Sequence, residues 1–94
     1  MRWPIGLLSI IGKLFEKIIK NEPKFIDAHI LLGSVFFEKK TYSAAEKSFI
    51  NALKLDSTYQ IKVFYTLALC NYELEHFTEA KNNMGKYLAL ETQN

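Results

Sequence analysis

The sequence predicts an all-α fold, an antiparallel helix-hairpin solenoid, and three observations predict it. Apolar residues recur at three- and four-residue steps after Pro4, from Leu7 to Ile18, the period of a helix with one buried face. The chain also matches itself at an offset of 35 residues, a spacing expected of stacked helical units. Finally, 94 residues that are 49% apolar and 14% aromatic can bury one small core, so a single domain over 1–94 is expected.

The first element is a helix over residues 5–22, opening after Pro4. Leu7, Leu8, Ile11, Leu14, Phe15 and Ile18 form its apolar stripe, widened by Ile10 and Ile19, while Lys13, Glu16, Lys17 and Lys20 lie off it. The basic start and apolar run imitate a signal peptide, but no small-x-small cleavage site follows and the lysines fall at helical spacing. The run is also far short of the roughly 20 residues that span a bilayer. Pro23 stops the helix and disfavours helical geometry at Glu22.

Two hairpin units follow, over 26–59 and 60–94. The 35-residue offset lays Gly33 on Ala68, Phe37 on Tyr72, Tyr42 on Phe77, Ala45 on Ala80, Phe49 on Met84, Leu53 on Leu88 and Leu55 on Leu90. In each unit two helices meet at a short polar turn, Lys39-Lys40-Thr41 and Glu75-His76. Ser43-x-x-Glu46 fits a capping box, and Thr78 can cap the matching helix of the second unit. Small Gly33, Ala68, Ala45 and Ala80 let paired helices approach closely. Phe36, Phe37, Tyr42, Phe49, Tyr72 and Phe77 supply the bulk between helices.

This pattern resembles the tetratricopeptide repeat (TPR). His29-x2-Leu32-Gly33-x2-Phe36 followed by Ala45-x3-Phe49 follows that repeat's signature, and Ala52-Leu53-Lys54-Leu55-Asp56 closes the unit in the same way. The second copy, Phe64-x2-Leu67-Ala68-x2-Asn71 with Ala80-x3-Met84, is looser. His29 stands in for the repeat's Trp, Ser57 for its closing Pro, and Tyr87 for a small residue. Phe15-x2-Ile18-Ile19-x-Asn21-Glu22-Pro23 matches the end of a repeat's second helix. The resemblance therefore implies about two and a half repeats.

Stacked helix pairs curve, and the first helices line a concave face. The resemblance implies a groove for a partner's helix or extended segment at Asp27, Ile30, Leu31, Ser34, Phe37 and Glu38, and at Lys62, Tyr65, Thr66, Leu69, Tyr72 and Glu73. Ile30 and Ser34 occupy positions where the carboxylate-clamping members of the family carry Lys and Asn, so that chaperone-binding mode is not expected. Repeat stacks also expose apolar ends. The first helix's stripe, together with Leu88 and Leu90, is expected to need cover from a second copy through residues 5–22, another subunit or further chain.

The chemistry-bearing residues are sparse. His29 is expected to pack, His76 to sit in solvent, and Cys70 to behave as a small buried hydrophobe. Glu38, Glu46, Glu73, Glu75 and Glu79 read as solvated helix surface, and the four glycines form no phosphate loop. No catalytic, cofactor or metal constellation is expected, hence no enzyme. Twelve basic against ten acidic residues, with Arg2 the sole arginine, argue against nucleic acid. A lone cysteine and no Asn-x-Ser/Thr site point to an intracellular, cytoplasmic setting.

The expected function is a non-catalytic protein–protein interaction module or scaffold subunit. The alternative is a membrane-associated adaptor anchored by the first helix. Residues 1–24 carry five positive and two negative side chains, the sign that anionic lipid attracts.

Overall fold

The computed structural model describes residues 3–92, so Arg2 and the last two residues of the second unit lie outside the description. Five helices follow one another: α1 (Ile5–Asn21), α2 (Ile26–Glu38), α3 (Tyr42–Leu55), α4 (Lys62–Glu73) and α5 (Phe77–Glu91). No strand occurs among the described residues. Each helix packs on its neighbour in sequence, α1 on α2, α2 on α3, α3 on α4 and α4 on α5. The result is the helix-hairpin solenoid that the periodicity predicts.

The core sits where α3 lies between α2 and α4. Ala45, Phe49, Val63, Leu67 and Cys70 are buried there, flanked by Ile30, Phe36, Phe37, Tyr42 and Leu53. Gly33 explains how close α2 and α3 come. A Cβ at that position would stand 2.7 Å from the Phe49 ring. Phe49 is itself 1% exposed, so the ring has little room to yield.

The two hairpins turn alike. Lys40 and Glu75, 35 residues apart, both adopt φ 62°. Thr41 N–H then donates to the Phe36 carbonyl at 2.8 Å and His76 N–H to the Asn71 carbonyl at 2.8 Å, closing the ends of α2 and α4. Aromatic pairs flank both turns edge to face, Phe37 with Tyr42 and Tyr72 with Phe77.

Several expectations need correction. No helix carries a side-chain N-cap: Thr41 and His76 occupy the cap positions of α3 and α5, so neither Ser43-x-x-Glu46 nor Thr78 caps. Tyr72 and Phe77 touch across the α4–α5 turn but are not buried bulk: both lie exposed, whereas Phe37 and Tyr42 pack against the core cluster of α3 and α4. In α1, one half of the apolar arc (Leu8, Ile11, Phe15, Ile18, Ile19) turns towards cover, while Ile5, Leu7, Ile10 and Leu14 remain exposed. Leu88 is open, but Leu90 is half-buried beside Ser57, Thr58 and Phe64.

Candidate functional site

The site grows from the placement of α2 and α4 beside one another, with α3 behind them. Ile30, Leu31 and Ser34 of α2 face Lys62, Val63 and Thr66 of α4 across a hollow of about 300 Å³, with Phe49 and Gln60 completing its lining. Ser34 Oγ donates to the Ile30 carbonyl at 3.0 Å, and Thr66 Oγ1 to the Lys62 carbonyl at 3.3 Å. Each hydroxyl spends its only hydrogen on its own helix, so towards the hollow both act as acceptors. Lys62 is the donor.

A second hollow, of about 240 Å³, lies between α1 and α2. Trp3, Leu8, Ile11 and Phe15 stand on one side, Leu31, Ser34, Val35 and Glu38 on the other. Its walls are almost wholly apolar side chain. Leu31 and Ser34 line both hollows, so the two meet over α2. Sequence reasoning placed the groove on the first helices of the hairpins and missed the share contributed by α1. The signal was there in Ile11 and Phe15, four residues apart on one helix face.

The structure thus brings together Ile30, Leu31, Ser34, Lys62 and Thr66, with Glu38 at the adjoining hollow. The other expected groove residues are engaged elsewhere or stand apart. Asp27 accepts from Tyr59 Oη at 2.9 and 3.1 Å, a contact joining α2 to the α3–α4 loop; it raises the Tyr59 pKa through the hydrogen bond and the carboxylate's charge. Phe37 packs against the core and on Tyr42, Tyr72 lies on Phe77, and Tyr65 lies against Tyr87 at 5.4 Å between centroids. Leu69 is half-buried and Glu73 exposed, outside either hollow.

On another side of α4 is a polar network. Asn71, 2% exposed, donates through Nδ2 to Glu46 Oε2 and accepts from Asn83 Nδ2 at 2.7 Å. His76 Nδ1 donates to the same Glu46 oxygen at 2.9 Å. Glu46 is therefore not freely solvated, and His76, though half-exposed, is tied to it. The hydrogen bond to Glu46 raises the His76 pKa, helped by the charges of Glu46 and Glu79 against some desolvation. The clue was Asn71 itself, which the repeat lays on Phe36: a polar residue in an apolar frame needs a partner.

The remaining reactive groups are quiet. His29 is buried, with Nε2 2.8 Å from the Pro23 carbonyl, so the ring nitrogen donates there and pins the α1–α2 turn. Cys70 is fully buried; burial pushes its thiol up to about 12, with the Glu46 charge adding to the shift. Among the described residues no three His, Cys, Asp or Glu side chains cluster to hold a metal ion. No helix of those residues is long and apolar enough to cross a membrane.

No protein-family model matches the chain. Over 52 residues, 55% of this chain, it is 38% identical to Superkiller complex protein 3 of Mus musculus. The chain covers 3% of that protein's length, far less than two thirds of it. The name describes a component of a complex.

Proposed function

We propose that the chain is a TPR-type, non-catalytic protein-interaction module that holds a segment of a partner along α2. The observation that carries this reading is the meeting of two hollows over Leu31 and Ser34, one apolar and one with Lys62 at its rim. An apolar anchor would bury itself between α1 and α2, and rim charges would set its direction. The similarity to a named complex component supports the same reading. The test is selection of binders from a random peptide library on the wild-type chain, then measurement on Leu31→Asp. A loss of at least tenfold in affinity supports the groove. Binders indifferent to that change overturn it.

A second reading has its own observation. Ile5, Leu7, Ile10 and Leu14 of α1 are exposed beside Lys13 and Lys17. Such a face suits an anionic membrane surface. Co-sedimentation with vesicles containing phosphatidylserine, compared with Ile10→Gln/Leu14→Gln, tests it. Equal binding of both proteins removes the reading.

A further inference from the structure

Beyond the α2 groove lies a larger cleft of about 440 Å³ between α3 and α5, floored by α4. It borders different faces of these helices from those lining the concave hollows. Its two ends are opposite in charge. At one end stand Glu46 and Glu79, with Asn71, His76 and Asn83; at the other stand Lys54 and Lys86. Ile50 and Leu53 of α3 and Phe64 and Leu67 of α4 form the apolar stretch between.

The charged groups are available. Among the described residues the only ion pair is His76 with Glu46, which leaves Glu79, Lys54 and Lys86 unneutralised. Glu46 uses Oε2 for both Asn71 and His76. No buried side-chain polar atom lacks a partner, so its other oxygen, which accepts no bond in the network, reaches solvent. Lys86 Nζ stands 5.7 Å from the centre of the Phe64 ring, so the ammonium lies over the apolar lining of the cleft.

Spacing selects the ligand's shape. Glu46 to Lys54 is eight residues of helix and Glu79 to Lys86 seven, so the opposed charges are about 10–12 Å apart along the cleft at 1.5 Å per residue. An extended chain covers about 13 Å in four residue steps, and the side chains at its first, third and fifth positions share one face.

We propose that the α3–α5 cleft is a second protein-binding site, taking an extended peptide with a basic, an apolar and an acidic residue at alternate positions, all on one face. The basic residue lies by Glu46 and Glu79, the acidic residue by Lys54 and Lys86, and the apolar residue between them lies over Ile50 and Leu53. This site is independent of the α2 groove.

Fluorescence anisotropy at low salt, on the full chain, tests it with three labelled peptides in Gly-Ser flanks: Lys-Ser-Leu-Ser-Glu, Glu-Ser-Leu-Ser-Glu and Lys-Ser-Leu-Ser-Lys. The first binds at least about tenfold tighter than the other two, and Leu31→Asp leaves that preference unchanged. Lys54→Glu/Lys86→Glu reverses the preference towards Lys-Ser-Leu-Ser-Lys. If that variant fails to fold by circular dichroism, Glu79→Lys makes the opposite change and shifts preference towards Glu-Ser-Leu-Ser-Glu. No saturable binding below about 1 mM, or no preference in the wild type, overturns the proposal. So does a preference that none of these charge changes moves, or a change in sedimentation with no change in peptide binding, which would make a second copy the occupant.

Discussion

Gly33, Cys70 and His76 show how single residues carry the hairpin frame. At Gly33 an added methyl meets the Phe49 ring at 2.7–2.9 Å. Gly33→Ala gains about 1 kcal/mol of helix propensity but overpacks a site where such insertions cost about 1–3 kcal/mol. A net loss of up to about 2 kcal/mol is expected, read as a lower urea midpoint with unchanged slope. Cys70, sealed in the core and with its thiol pushed up to about 12, should resist maleimide in the native protein and react once denatured. His76 works by charge. Its pKa is raised in the fold, so the stabilisation from its Glu46 contact is full below the unfolded value of about 6.5 and fades as pH rises through the folded value. Urea midpoints of wild type and His76→Gln should therefore differ more at pH 6 than at pH 9. A gap that widens with pH would contradict the contact.

At the scale of elements, the turns hold removable strain. Lys40 and Glu75 both sit at φ 62°, where a residue with a Cβ is disfavoured and glycine is not. Lys40→Gly or Glu75→Gly is expected to raise stability by about 0.5–1 kcal/mol, measured as a rise in Tm. α5 offers the converse case. Gly85 has nothing within 4 Å of a built Cβ and lies mid-helix, so Gly85→Ala should stabilise by about 1 kcal/mol. The opposite signs expected at Gly33 and Gly85 separate a packing glycine from one that only weakens a helix. The absence of side-chain caps on all five helices has a local reason at α3. There Glu46 turns away from the backbone to meet Asn71 and His76.

For the whole molecule, packing in chain order means that stability is the sum of neighbouring interfaces. α1 buries only Leu8 and Gly12, and α5 buries no residue fully, whereas α3 and α4 share the core. Amide hydrogen exchange should therefore be fastest in α1 and α5 and slowest in α3 and α4. Uniform protection would mean that the ends are covered in solution. The exposed Ile5, Leu7, Ile10 and Leu14 make α1 the face to watch, since large apolar side chains gain roughly 1.5–3 kcal/mol each when fully buried. Sedimentation equilibrium of wild type against Ile10→Gln/Leu14→Gln separates a face covered by a second copy from one left open.

Helix positions, hairpin turns and the tight α2–α3 approach were legible in the sequence, because period, Pro23 and the repeated small residues act locally or between chain neighbours. The aromatic repeat showed which positions carry bulk, but whether that bulk is buried depended on the packing around it: Phe37 and Tyr42 lie against the core cluster of α3 and α4, while Tyr72 and Phe77 lie exposed. Likewise, Glu46 and His76 look like surface residues when each helix is considered alone. Only the stacking of α3, α4 and α5 brings residues 25 and 30 positions apart into one network and opens the cleft above it. Periodicity determines which face of a helix is apolar; tertiary packing decides which part of that face is covered and which polar groups meet across it.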